Sequence, residues 1–166
     1  STGAASRGGG TGPGLALSNH PAWLANDPAG GPGSSFISVV DTGTTSIPPG
    51  DYTFETFFDL TGFDPDTAAL GLNIAADNNF DVLLNGVSTG LSGGGFASFS
   101  GPLFIEDGFQ PGLNSLEIVL NNAGTSGNPG GLRVEIFGSA VAAVPEPASI
   151  ALWSLLGLAG AGFGWV

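Results

Sequence analysis

The sequence predicts an all-β protein: a jelly-roll-type antiparallel sandwich of about eight strands, followed by a single C-terminal transmembrane helix. Three observations lead to this prediction. Short apolar runs alternate with turn-forming residues through the middle of the chain. Charged residues are 10% of the composition, while 30 of the 166 residues are Gly and 12 are Pro, which suits short strands joined by turns. Residues 148–166 carry no charge.

Residues 1–35 are interpreted as a Gly/Pro-rich extended arm. Its few apolar side chains show no sustained period, so the arm is expected to be loosely wrapped rather than independently folded. An indole in such an arm has no core of its own to enter, and Trp23 is therefore expected to anchor in the surface of a partner protein. Arg7, the arm's only positive charge, is a candidate to pair with an acidic partner.

Residues 36–143 are predicted to form the sandwich. Asn85 and Gly86 lie between two apolar runs and predict a tight hairpin, because both residue types tolerate positive φ. Asp77, Asn78 and Asn79 predict a second turn for the same reason. The predicted strands lie near residues 36–41, 50–60, 68–77, 80–84, 87–89, 95–105, 114–121 and 132–137.

Large apolar side chains in these strands are expected to fill one hydrophobic core. At about 1.5–3 kcal/mol for each fully buried large side chain, they suffice to stabilise a domain of this size without disulfides. The phenylalanines assigned to the core are Phe54, Phe57, Phe58, Phe63, Phe80, Phe96, Phe99, Phe104 and Phe109.

The C-terminal residues 144–166 are predicted to enter a membrane. A Pro-Glu-Pro motif (Pro145, Glu146, Pro147) precedes the uncharged run 148–166, which as a helix spans roughly 28 Å, close to the hydrocarbon thickness of a bilayer. Small residues four positions apart permit close packing against other membrane helices. These pairs are Gly157 with Ala161 and Gly160 with Gly164.

The Val-Pro-Glu-Pro sequence at 144–147, followed by a hydrophobic span, resembles the PEP-CTERM sorting tail of exported bacterial proteins. This resemblance implies processing by an exosortase, association with exopolysaccharide and a sandwich on the periplasmic or outer side of the membrane. Residues 52–138 also resemble galactose-binding-like sandwiches, a likeness of fold pattern that identifies no sugar. It rests on segments 52–54, 59–63, 75–78, 84–86 and 112–116.

The composition argues against several function classes. A formal net charge of −12 repels phosphate backbones, so nucleic acid is not an expected partner. With no Cys, no Lys and His20 as the only histidine, the usual catalytic bases and nucleophiles are almost absent, so a non-catalytic protein without a cofactor is expected. Tyr52 is expected to pack at a strand start rather than form a sugar platform.

Four aspartates in predicted loops or turns are weighed as ligands of a structural Ca²⁺, which prefers oxygen donors. The competing interpretation is that Asp favours turns because its side chain bonds the local backbone. The four candidate ligands are Asp64, Asp66, Asp77 and Asp81.

Two hypotheses of function follow. In the first, the protein is an accessory subunit of a membrane complex, of photosynthetic or respiratory type for example. Its sandwich then caps the outer face, while the arm and the transmembrane helix bind neighbouring subunits. In the second, it is an exosortase-sorted surface protein whose sandwich binds polysaccharide.

Overall fold

The computed structural model of the chain describes residues 4–7, 10–27, 33–40 and 46–144, and every regular element in these ranges is a β-strand. The all-β prediction is confirmed. The strands are β1 (Ala4–Arg7), β2 (Gly10–Pro13), β3 (Leu15–Ala16), β4 (Ile37–Ser38), β5 (Ser46–Ile47), β6 (Gly50–Asp59), β7 (Phe63–Leu84), β8 (Val87–Ile105), β9 (Leu113–Asn122), β10 (Asn128–Pro129) and β11 (Gly131–Ala142).

Nine of these strands form one antiparallel sheet that curls into a sandwich. Its order is β2-β1-β6-β9-β7-β11-β4-β3, with β8 paired to β7, while β5 and β10 form a separate small ribbon. The first part of β7 pairs with β11 and its last part pairs with β9. Because one strand runs through both halves of the sheet, β7 connects the β11 layer to the β9 layer.

The long β7–β8 hairpin joins pieces that the sequence analysis separates. The predicted turn at 77–79 is wrong: β7 continues through these residues, and the register to β8 shifts there between Ala76 and Asn79. A bulge bends a strand without ending it, so turn-forming residues at this position re-aim β7 from one layer to the other. The predicted tight turn is confirmed at Asn85 (φ 53°) and Gly86 (φ 77°), where both residues have the positive φ of a type I′ turn.

The core lies between the two layers and is built from alternate residues of each strand. Tyr52 and Phe54 of β6 face Leu72 and Ile74 of β7, and β9 contributes Leu120. The side-chain period of two places every second residue on this inner face. Tyr52 is fully buried and its hydroxyl donates to the Pro48 carbonyl at 2.7 Å, as expected for a packed strand start.

Three of the phenylalanines assigned to the core lie largely outside it. Phe57 is 52% exposed, Phe63 43% and Phe104 54%. Neighbouring residues on a strand point to opposite faces, so Phe57 and Phe58 cannot both be buried. For the same reason Phe104 points outward, because its neighbour Ile105 is buried on the inner face. The number of aromatic residues does not say which face each one lies on, so the prediction is wrong for these three side chains.

The described part of the arm is integrated into the sandwich. β1 pairs with β6, and β3 pairs with β4, which in turn pairs with β11. The expectation of a loosely wrapped arm therefore does not hold for these residues. No helix in the described ranges is long and apolar enough to span a bilayer, and the transmembrane helix predicted within 144–166 falls beyond Val144, the last described residue.

Candidate functional site

One end of the sandwich gathers four segments that are distant in sequence, and we call it the open end. The β6–β7 turn is fixed to the β8–β9 loop by the Leu60 amide, which donates to the Gly112 carbonyl at 2.8 Å. The β7–β8 hairpin joins β9 through the Asn85 amide and the Ser115 carbonyl at 2.9 Å. The chain just after β11 returns to the same turn, where the Ala143 amide donates to the Gly62 carbonyl at 2.9 Å.

Three residues with carboxamide side chains lie together at the open end, Asn85, Gln110 and Asn114, and we call them the amide cluster. Asn114 is fully buried, and its Oδ1 accepts from the backbone N–H of Gln110 and from Asn85 Nδ2, both at 2.9 Å. Its Nδ2 donates to the Gln110 and Gly112 carbonyls. Asn114 therefore holds the loop and the hairpin in fixed relative positions.

The outer members of the amide cluster make hydrogen bonds of their own. Asn85 Nδ2 also donates to the Gly108 carbonyl at 3.0 Å, and its Oδ1 accepts from the Ser115 amide at 2.9 Å. Gln110 Nε2 donates to the Leu113 carbonyl at 2.9 Å. Within the described ranges no donor reaches Gln110 Oε1 and no group bonds the Ser115 hydroxyl, so these two atoms are available to a ligand.

Phe57 borders a polar pocket of about 310 Å³ beside the amide cluster. The pocket is lined by Phe57, Leu113, Ser115 and all three cluster residues. Phe57 pairs with Ser115 across β6 and β9, so the ring and the hydroxyl lie on the same face of this layer. A half-exposed ring, a free hydroxyl and a fixed amide oxygen are thus presented together.

Phe57 also borders a larger cavity, which we call the apolar cleft. It has a volume of about 560 Å³ and opens between the two layers, with Phe58 and Leu116 on one wall and Leu70 and Ile136 on the other. A second, smaller cavity of about 200 Å³ shares Leu116 and Ile136 with it. The two cavities therefore share one lining residue, Phe57, and lie on opposite faces of the β6–β9 layer.

A carboxylate lies at the edge of the apolar cleft. Asp59 lines the cleft, and its Oδ1 accepts from the Thr61 hydroxyl at 2.7 Å and from the Thr61 amide at 2.8 Å. These hydrogen bonds hold the pKa of Asp59 below its usual range, because they favour the ionised form. The edge of the cleft is consequently negative at neutral pH.

The structure does not gather the four aspartates proposed as Ca²⁺ ligands in one place. Asp64 Oδ1 accepts from the Asp66 amide at 3.1 Å, the local backbone bond expected of Asp in a turn. Asp77 bonds Trp23, and the exposed Asp81 lies on the part of β7 that pairs with β9. Across the described ranges, no three His, Cys, Asp or Glu side chains lie close enough to hold a metal ion.

Trp23 is buried within its own chain, with only 6% of its surface exposed. Its Nε1 donates to Asp77 Oδ2 at 2.9 Å, and its ring lies 4.6 Å from the Phe36 ring. This differs from the expected partner anchor, because the outer face of β7 offers the indole both an apolar surface and an acceptor. Burial raises the pKa of Asp77, against the opposing effects of the Trp23 N–H and of His20.

Arg133 binds two further residues of the arm near Trp23. Its Nε donates to Ser34 Oγ at 2.7 Å, its Nη1 to the Ala25 carbonyl, and its Nη2 lies 3.4 Å from Glu135 Oε1. The guanidinium carbon lies 4.9 Å from the centre of the Phe99 ring. We call the group of Trp23, Asp77 and Arg133 the arm clamp.

The other sequence-predicted site residues are only partly described. The backbone of Arg7 pairs with Gly10 in the β1–β2 hairpin. The remaining predicted residues lie outside the described residues: Pro145, Glu146, Pro147, Gly157, Gly160, Ala161 and Gly164.

The polar residues of the open end were not singled out as a site by sequence reasoning. The sequence predicts only a turn at Asn85, and segment 112–116, which holds Asn114 and Ser115, carries only the resemblance to galactose-binding-like sandwiches. The missing signal is the pairing of β6 with β9, which brings Phe57 beside Ser115. In sequence these residues are almost sixty positions apart.

Two solved structures of a lectin from Pleurotus ostreatus are similar to this fold. The apo form aligns with a TM-score of 0.50 and 19% identity, over 79% of this chain and 35% of the lectin chain. The complex with GalNAc aligns with a TM-score of 0.51 and 18% identity, over 79% and 38%. The chain thus corresponds to little more than a third of each lectin chain, and the likeness is one of fold. No protein-family model and no curated protein matches the sequence.

Proposed function

We propose that this protein is a non-catalytic carbohydrate-binding sandwich and that its sugar site is the polar pocket at the open end. The observation that carries the proposal is the half-exposed Phe57 ring beside the fixed amide cluster. The resemblance to galactose-binding-like sandwiches and the fold likeness to a lectin that holds GalNAc in one structure both support it.

Sugars present two kinds of surface, and the pocket offers a complement to each. The C–H face of a pyranose ring is apolar and stacks on an aromatic ring, a role open to Phe57. Its hydroxyls both donate and accept hydrogen bonds, so Gln110 Oε1 can accept from one and the Ser115 hydroxyl can bond another. Because the amide cluster is already immobilised by its own hydrogen bonds, little side-chain entropy is lost when a sugar binds.

The charge near the pocket favours neutral sugars. Asp59 stays ionised next to the apolar cleft, and the chain has a formal net charge of −12. A sulfated, phosphorylated or uronic acid sugar would meet electrostatic repulsion on approach. Galactose, glucose and their N-acetylated forms carry no charge and are the sugars we expect to bind.

The test is a glycan array probed with the full chain, purified in a detergent without a sugar headgroup. We expect selective binding of neutral glycans and about a tenfold loss of affinity in Phe57→Ala, since such a loss is about 1.4 kcal/mol, the scale of one aromatic contact. Phe104→Ala is the matched control, because Phe104 is equally exposed but lies away from the pocket. Absence of binding to every glycan, or equal losses in the two variants, would contradict the proposal.

We further propose that the sandwich is tethered to a membrane by residues 148–166, on the extracytoplasmic side. The support is the uncharged length of this segment and its resemblance to a sorting tail. Extraction of membranes at alkaline pH tests the tether: we expect the protein to remain in the pellet.

Blue-native electrophoresis then separates the two hypotheses of function. Stable co-migration with a large complex would favour the accessory subunit over the surface carbohydrate-binding protein.

A further inference from the structure

We infer that the open end binds an amphiphilic glycoside, with the sugar in the polar pocket and an alkyl or acyl aglycone in the apolar cleft. The inference rests on the proposed sugar site and names the class of ligand that it takes. Its basis is that Phe57 is part of the lining of both cavities. Its ring faces the polar pocket beside Ser115, whereas Phe58 faces the cleft. Among the described residues this part of β6 pairs only with β9, so a chain attached to the sugar reaches the cleft by passing over the edge of β6.

The apolar cleft is suited to a hydrocarbon chain and poorly suited to a second sugar. At about 560 Å³ it is larger than the polar pocket, and its walls are built mainly from apolar side chains such as Phe58, Leu70, Leu116 and Ile136. A sugar placed there would leave most of its hydroxyls without hydrogen-bond partners, which disfavours its burial. A hydrocarbon chain carries no such groups.

The exposure of the cleft walls supports the same conclusion. Ile136 is 47% exposed and Phe63 is 43% exposed, although both line a cavity between two layers that elsewhere bury their side chains. Each methylene that covers such surface gains about 0.8 kcal/mol. The ionised Asp59 at the cleft disfavours a fatty acid or a phospholipid, whose headgroup is negative, and leaves a neutral glycoside as the favoured ligand.

The experiment compares methyl, butyl and hexyl β-galactosides and the same three β-glucosides by calorimetric titration. The full chain is used in amphipol, so that no detergent competes for the cleft. We expect affinity to rise up to about fourfold for each methylene that enters the cleft, which is the fold-change corresponding to the transfer free energy of one CH₂. Equal affinities for the methyl and hexyl glycosides would overturn the inference and leave the proposed sugar site intact.

A pair of variants on β11 shows where the chain binds. Ile136→Ser places a hydroxyl in the cleft, and we expect this variant to show a smaller gain in affinity for each methylene added to the glycoside. Phe137→Ser is the matched control: this neighbour is 49% exposed but points to the opposite face, where its ring lies 6.3 Å from that of Phe104. Thermal melts of both variants report folding. An equal reduction in the two would overturn the inference, whereas failure of every glycoside, short or long, would contradict the proposed function itself.

Discussion

The arm clamp and the open end use similar residues for different purposes. Both combine an aromatic ring with hydrogen-bonding side chains on the outside of the sandwich. In the arm clamp, Trp23 is 6% exposed and its N–H is bonded to Asp77, so the chain itself satisfies the group. At the open end Phe57 is 52% exposed beside a pocket. An aromatic ring with hydrogen-bonding neighbours thus stabilises the fold where the chain covers the ring. It is a candidate binding site where the ring stays exposed.

The largest expected effect is on the arm clamp. Arg133→Leu removes the donors to Ser34, to the Ala25 carbonyl and to Glu135, and so breaks the hydrogen bonds by which the buried guanidinium holds the arm. We expect a loss of about 3 kcal/mol in the free energy of unfolding, measured by urea denaturation. Arg133→Lys keeps the charge but lacks the planar fork, so it should recover only part of the loss. A loss below about 1 kcal/mol in Arg133→Leu would show that the clamp does not stabilise the fold.

At the open end we expect a smaller effect on stability than in the arm clamp, and a larger effect on glycan binding. Asn114→Ala removes four hydrogen bonds, three to the backbone of the β8–β9 loop and one to Asn85 of the hairpin. We expect a loss of about 2 kcal/mol in the free energy of unfolding, together with loss of glycan binding. Asn121→Ala is the control, since Asn121 bonds Asp51 at a solvent-exposed position and should cost less than about 1 kcal/mol. Retained glycan binding in Asn114→Ala would separate the amide cluster from the site.

The smallest effect is a pH dependence within the arm clamp. Folding raises the pKa of Asp77 through burial, because burial disfavours the ionised carboxylate. The ionised carboxylate therefore lowers the free energy of unfolding, and this loss is fully present above the folded-state pKa. Asn accepts the Trp23 hydrogen bond without a charge, so Asp77→Asn should be more stable than the wild type at pH 7. The advantage should disappear as the pH falls below about 4, near the ordinary pKa of Asp.

The pH experiment compares urea midpoints of the two proteins at pH 7, 5 and 3. Protonation of other carboxylates, such as Asp59, lowers the free energy of unfolding as the pH falls. These groups are present in both proteins, so their effect cancels in the difference between the two. A wild type more stable than Asp77→Asn at pH 7 would mean that the carboxylate strengthens the clamp rather than weakening it.

The sequence was informative where structure is local. The Asn85–Gly86 turn and the packing of Tyr52 depend on neighbouring residues, and both were predicted. The clamp and the open end depend on strand pairing: Trp23 and Asp77 are 54 positions apart, and Asn85 and Asn114 are 29 apart. No periodicity within a single strand reveals such contacts, so the fold class could be predicted while the placement of Trp23 and the amide cluster could not.

The central claim is that the open end, and not the arm clamp, meets the ligand. Chemical-shift mapping of backbone amides tests it most directly, using the full chain in amphipol and methyl β-galactoside and methyl β-glucoside as probes. We expect shifts concentrated at Phe57, Asn85 and residues 110–115. Shifts confined to the neighbourhood of Trp23, or no shifts at millimolar concentrations of either glycoside, would contradict the account.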